Sequence, residues 1–281
     1  MKHIPVLLNS VLDALGDISG KTVVDCTFGA GGYSRAFLNA GANVIAFDRD
    51  SNVLSDVNAM ITEFGDRFHF IPQTFSHISD LDCTVDAIVF DLGISSMQID
   101  VPERGFSFRF DAPLDMRMSK DGVTVAQLIE RLSVSELADV LRTYGDVKKA
   151  NVLAAAIKQA LPQTTFGLRD LIYNPNDIAP VFQALRIAVN DEMGELERAL
   201  SVVPELLKIG GKCVCVTFHS IEDRIVKNTF RTWTTPLGDP RLPVLQPAPF
   251  ELMRAQTPSD EELENNSRAR SAHMRGVIKK E

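Results

Sequence analysis

The chain has no apolar run long enough to cross a bilayer, a single tryptophan, and only four cysteines in 281 residues. Its longest apolar stretches, Val85–Phe90 and Cys213–Phe218, suit buried strands. The opening residues carry little positive charge and no small-residue cleavage site, so no secretory signal is expected and the cytoplasm is the expected location. Cys26, Cys83, Cys213 and Cys215 lie in or beside strand-like segments and lack the spacing of a zinc site. Reduced core thiols are expected, with no metal. Repeats and low-complexity segments are absent. An excess of positive charge is missing too, the formal net charge being −8. That balance bears on solubility and non-specific association, and a local basic surface can still steer phosphates. Arg268, Arg270, Arg275, Lys279 and Lys280 supply one local excess, read either as an RNA contact or as a solvated edge.

What is present is an ordinary globular composition, 45% hydrophobic and 23% charged. Short apolar runs alternate with amphipathic stretches through the first ninety or so residues, the pattern of parallel βαβ units and an α/β fold. Strands are predicted at Lys21–Cys26, Asn43–Phe47, Arg67–Ile71 and Asp86–Phe90, with helices at Gly32–Ala40 and Ser51–Phe64. A further helix is predicted at Glu192–Lys208, ending at Gly210 and Gly211, followed by a strand over Lys212–Phe218 and a helix over Ser220–Trp233. Between these blocks the periodicity is helical, at Thr124–Leu132, Ser135–Tyr144 and Val147–Leu161. Ser133 with Glu136 forms a capping box for the second of them. We therefore expect a core of residues 1–99 and 191–281 with a helical insertion at 100–190 that recognises substrate. Pro236, Pro240, Pro243, Pro247 and Pro249 mark an irregular excursion. The chain then returns through Phe250–Gln256 and Ala272–Lys279 as antiparallel edge strands.

The most informative segment runs from Val24 to Ser34: an apolar strand ends in Asp25, a turn with Gly29, Gly31 and Gly32 follows, and a helix begins. Glycines let the backbone turn tightly and approach a ligand closely, beside unpaired N–H groups of a helix start. Asp48 stands nineteen residues past Gly29 at the next strand tip, placed to accept ribose hydroxyls. Asp91 ends the fourth strand. A nicotinamide dinucleotide would want a third glycine where Ser34 stands and has no need of Asp25. A sulfonium cofactor gains from nearby carboxylates, so S-adenosylmethionine is the expected cofactor.

Several blocks carry a resemblance. They are Lys2–Leu8; Asp91-Leu92-Gly93-Ile94-Ser95-Ser96-Met97-Gln98; Glu103-Arg104-Gly105-Phe106-Ser107-Phe108; Pro113–Met118; Tyr144-Gly145; Phe182–Asn190; Phe218–Lys227; and Ser267–Ser271. Together, in order along nearly the whole chain, they resemble the family of methyltransferases acting on cytosine N4 of small-subunit (16S) ribosomal RNA. The resemblance implies a Rossmann-like core of mostly parallel sheet with an inserted helical domain. It also implies S-adenosylmethionine-dependent methylation of a cytidine in the decoding region, and either 16S RNA or the small subunit as partner. By position it places cofactor contacts on Gly31, Gly32, Tyr33, Asp48, Phe75, Asp91 and Gln98. Two positions depart from the family pattern: Tyr33 stands where histidine is usual, and Met97 where proline is.

Several of these residues have a second reading. Asp48 could simply cap a helix, and Phe75 could pack in the core instead of flanking adenine. Asp91 could orient the cofactor or, as the catalytic group, accept a hydrogen from the substrate amine. Phe106 and Phe108 could stack on an extruded base or latch the insertion. His219 and Ser220 lack a nucleophile elbow, which excludes a hydrolase. The competing functions are a methyltransferase of protein or small molecules and a catalytically inactive RNA-binding assembly factor. Against the former stands the basic set Arg104, Arg109, Arg117, Arg186, Arg224 and Lys227, near blocks expected to converge on a cleft.

Overall fold

The computed structural model describes residues 5–236 and 246–280. Lys2, His3, Ile4, Pro240 and Pro243 lie outside the described residues. Backbone contacts divide the chain into two units, residues 1–93 with 195–281, and Ile94–Gly194.

The first unit is built on short strands that are apolar on both faces, as parallel strands covered by helices must be. β1 (Thr22–Asp25), β2 (Asn43–Phe47), β3 (Phe68–Ile71) and β4 (Val85–Asp91) alternate with α2 (Gly32–Asn39) and α3 (Leu54–Phe64), after α1 (Leu8–Leu15). β5 (Leu207–Thr217), α11 (Ser220–Trp233), β6 (Phe250–Leu252), α12 (Asp260–Asn265) and β7 (His273–Lys279) complete the unit. The sheet order is β3-β2-β1-β4-β5-β7-β6. β3, β2, β1, β4 and β5 run parallel, while β7 runs antiparallel to both β5 and β6. The chain moves outward from β1 to β3 and then returns to the other side of β1. This reversal opens a crevice at the carboxyl ends of β1 and β4. One face of the sheet carries a core that includes Phe47, Ile88, Phe90, Leu200, Cys215 and Phe230.

Four expectations need correction. The helix α10 (Glu192–Leu206) stops before Lys208, because Leu207 already pairs with Val85. Gly210, at φ +78°, sits where the register shifts to Ala87 and Lys212, so the glycine pair makes a bulge inside β5 rather than a helix end. β7 is an interior strand; only β6 lies at the edge. Cys83 is exposed, unlike the other three cysteines.

The second unit is helical: α4 (Ser96–Asp100), α5 (Val125–Arg131), α6 (Val134–Gly145), α7 (Ala150–Ala160), α8 (Thr165–Arg169) and α9 (Ile178–Asn190), with the start of α10. Ser133 caps α6 in a reciprocal box with Glu136. The unit has its own apolar core around Leu114, Ile129, Leu141, Ile157 and Leu185. Asn190 crosslinks it, its side chain accepting from Met118 N and donating to Met116 O, each at 2.8 Å.

Candidate active site at the carboxyl edge of the sheet

Asp25 ends β1 fully buried, accepting from the Ser34 hydroxyl at 2.6 Å and from Thr27 N at 3.2 Å. Ser34, where a dinucleotide site would want glycine, therefore holds the strand-end acid. Burial pushes the Asp25 carboxyl up to about 6 against these hydrogen bonds, with a smaller contribution from the charge of Asp48. The turn between them is anchored by Phe28, which donates its N–H to Phe47 O at 2.9 Å and packs between Phe68 and Phe70. Gly31 adopts φ +75°, and a Cβ there would come within 2.9 Å of the Phe28 ring. A Cβ on Gly32 would run into the Pro5 ring. Glycine is thus required at both positions by the backbone's own neighbours.

Asp48 stands at the tip of β2, and both of its carboxylate oxygens bond to backbone. Oδ2 accepts from Gly29 N and Oδ1 from Asp50 N, each at 2.8 Å. Its carboxyl is raised by burial first. A ligand hydroxyl would have to use the remaining lone pairs. Asp91 ends β4 in register with Val216 of β5, and its N–H donates to Thr27 Oγ1 at 2.8 Å. Its Oδ1 is buried and has no hydrogen-bond partner among the described residues. Burial, then Asp25, then Glu222 hold the Asp91 carboxyl well above the usual carboxylate range. Glu222, buried at the start of α11, folds back to accept from Phe218 N at 2.8 Å and His219 N at 3.3 Å. His219 caps α11 rather than forming any nucleophile–base pair.

Asp25, Asp48 and Asp91 therefore meet at adjoining strand tips beside the glycine turn. An orphaned carboxylate oxygen, with neighbouring acids held up by burial and by one another, is an arrangement that a bound cation relieves. The residues fit S-adenosylmethionine, with its sulfonium and ammonium charges.

The surroundings of the other expected site residues are as follows. The Tyr33 side chain is buried and its hydroxyl donates to Val6 O, so only its backbone remains for a ligand. Phe75 is half-buried on the core of the first unit, with its ring edge-on to Phe90 at 5.7 Å. Gln98 lies in the other unit, its Oε1 accepting from Ser95 N at 3.0 Å in the capping box of α4. Phe106 is buried in the helical core and Phe108 packs against Phe182, which favours the latch over base stacking. Three of the six basic residues have internal roles. Arg104 donates to Arg117 O and Met118 O, Arg117 forms a bidentate pair with Asp115, and Arg186 pairs with the buried Glu192. Arg109, Arg224 and Lys227 are exposed. In the C-terminal segment, Arg275 is bidentate with Asp223, Lys279 donates to Pro204 O and Leu207 O, and Lys280 pairs with Glu251. That basic excess is mostly structural. Sequence reasoning missed Thr27 and Glu222; the local signals were a hydroxyl in the turn and an acid at a helix start.

Residues 1–280 match the MraW methylase family. The chain is 43% identical over 293 residues to the ribosomal RNA small subunit methyltransferase H of Bartonella bacilliformis, covering 98% of this chain and 88% of that protein. It is 44% identical over 309 residues to the protein of the same name from Brucella anthropi, covering 100% and 88%. With a crevice built for a cationic methyl donor and a match along almost its full length, the chain belongs to the MraW methylase family.

Proposed function

We propose that this chain transfers the methyl group of S-adenosylmethionine to the exocyclic N4 of a cytidine in small-subunit ribosomal RNA. One observation carries the choice of an amine as acceptor: the buried, unpartnered Oδ1 of Asp91 at the end of β4. When bound, the cofactor supplies an electrophilic methyl carbon on a sulfonium. Gly31 and Gly32 would admit it close to the backbone, Asp48 would receive its ribose, and Asp25 would favour its positive charge.

The N4 amine of cytosine is conjugated with its ring, so its lone pair is a poor nucleophile. A carboxylate accepting one N–H hydrogen bond localises that lone pair and favours the charge that develops on nitrogen. Asp91 can do both, and can take the proton that nitrogen loses once it carries the methyl. Its raised proton affinity suits it to that task. The Asp-Pro-Pro-aromatic type of strand end used by DNA amine methyltransferases is replaced here by Asp91-Leu92-Gly93-Ile94. No cysteine follows β4 to attack a base carbon, which disfavours C5 methylation. The relatives' names, which specify small-subunit ribosomal RNA, support the substrate class. We assign substrate recognition to the helical unit Ile94–Gly194, on 16S RNA either free or within the subunit, in the cytoplasm. No helix among the described residues is long and apolar enough to cross a membrane.

The test is mass spectrometry of 16S nucleosides from cells with and without the gene. N4-methylated cytidine should vanish on deletion, return with the wild-type gene, and fail to return with Asp91→Asn. An unchanged level after deletion would overturn the reading.

A further inference from the structure

The glycine turn is held from outside by a second piece of chain. Pro5 packs where a side chain on Gly32 would lie. The next carbonyl, of Val6, accepts from the Tyr33 hydroxyl, and the next N–H, of Leu7, donates to a Glu262 carboxylate oxygen of α12 at 2.5 Å. Three successive residues are therefore each fixed to a different partner, two of them on α2 and one on α12. Leu7 is buried and left-handed, at φ 55°. For a leucine that conformation is unfavourable and persists only where its surroundings impose it. Tyr33 is suited to its part. Its ring is buried against Phe37, and burial together with the charges of Asp91, Asp25 and Glu262 keeps its hydroxyl protonated. It is thus a permanent donor, aimed at Val6 O, standing where the resembling family has histidine.

We propose that Tyr33 and Glu262 are positioning residues for the methyl-donor site: they clasp Pro5–Leu7 against Gly32, and the clasped segment is a wall of the cofactor pocket. The inference rests on the cofactor reading of the glycine turn. It adds that the pocket is completed by residues far apart in sequence, and that the Tyr33 side chain acts on the cofactor through Val6 rather than by contact. Losing either clasp leaves the strand-tip acids in place but lets the wall move, so affinity for the donor falls more than the rate at saturation.

The test uses the full chain, with S-adenosylhomocysteine as the binding probe, and compares wild type with Tyr33→Phe and Glu262→Ala. In wild type the probe should slow hydrogen exchange at the amides of Val6, Leu7 and Leu8. In both variants those amides should exchange faster, the probe should bind up to about tenfold more weakly, and KM for S-adenosylmethionine should rise with it. The rate at saturating donor should stay within about twofold of wild type, since no group touching the transferred methyl is altered. Faster exchange with unchanged affinity in both variants would overturn the proposal, as would a probe that leaves exchange at Val6–Leu8 unaltered in wild type. Should Tyr33→Phe fail to fold, the half-buried Glu262 carries the test alone. Asp48→Ala, measured alongside, separates the two readings: normal affinity in that variant would remove the ribose assignment and leave the clasp result standing.

Discussion

Asp91 N–H donates to Thr27 Oγ1 at 2.8 Å, tying the end of β4 to the turn that follows β1. The bond sets the height at which the Asp91 carboxyl emerges between the two strands. That carboxyl's Oδ1 is buried with no partner among the described residues.

Asp91→Asn should therefore move stability and activity in opposite directions. Replacing a carboxyl whose Oδ1 is buried without a partner among the described residues by a neutral amide removes the cost of charging it there, so the melting temperature should hold or rise. Methyl transfer at saturation should fall on the order of a hundredfold, because an amide favours the developing positive charge far less. Stopped single-turnover assays and thermal melts give the two numbers. Normal turnover with weaker cofactor binding would move Asp91 from chemistry to binding.

Thr27→Val should leave the carboxyl intact but free the strand end that carries it. A loss of about 1 kcal/mol in stability is expected, with a drop in turnover smaller than that of Asp91→Asn. Denaturant titration beside the same single-turnover assay checks it. A Thr27→Val enzyme as slow as Asp91→Asn would mean that the hydroxyl has a direct role.

Asp25 makes the site sensitive to pH. Its carboxyl is pushed up to about 6 in the fold, whereas in the unfolded chain it releases its proton near pH 4. Between those values the folded chain holds a proton that the unfolded chain has lost. Stability from this group is thus present below pH 4, declines as pH rises to about 6, and is level above that. A bound cation favours the charged carboxylate, so cofactor affinity should rise as pH climbs towards about 6 and level off above it, with proton release on binding below that point. Calorimetry in two buffers of different ionisation enthalpy measures that release. Asp25→Asn should flatten the stability slope and reduce the proton release; no change in either would dissociate Asp25 from the site.

Asp48→Ala should weaken cofactor binding by about 1–3 kcal/mol and lower stability by a similar amount, since Gly29 N and Asp50 N lose their acceptor as well. Titration and chemical denaturation separate the effects. Reduced stability with full affinity would leave Asp48 as a brace for the turn and nothing more.

Within the basic C-terminal segment Arg275 should behave differently from Arg268 and Arg270. Arg275→Ala breaks a bidentate pair with Asp223 and should cost about 1–2 kcal/mol in stability. Reversing Arg268 and Arg270 to Glu, both exposed, should instead weaken RNA binding and flatten its salt dependence, with cofactor affinity intact. An unaltered salt slope would place the phosphate-binding surface elsewhere.

The parts of this molecule that could be read from sequence are those whose signal is local. Asn43–Phe47 is a strand as predicted because its apolar run Val44–Phe47 is bracketed by Asn43 and Asp48, and α6 begins where Ser133 and Glu136 say it should. The strand-end acids Asp25 and Asp91 are legible for the same reason. Gly210 and Gly211 misled because a glycine pair can end a helix or bulge a strand, and only pairing with Val85 and Ala87 decides between them. α12 escaped because its residues, Asp260 to Asn265, are polar except for Leu263, and a single leucine makes no apolar stripe. The hydrogen bonds of Tyr33 to Val6 and of Glu262 to Leu7 join residues distant in sequence, and no periodicity announces such a contact.

β7 lies inside the sheet, bonded to β5 over 212–217 and to β6 over 250–252, yet it follows every other strand in chain order. A ribosome must finish residues 273–279 before the outer edge of β5 gains its partner. Until then the run Cys213-Val214-Cys215-Val216, buried in the finished fold, presents a long apolar edge of the kind that recruits other chains. A premature stop just ahead of His273 would therefore yield an open sheet prone to aggregate rather than a slightly shortened enzyme. Newly made chains depend on their final strand arriving before a neighbour does.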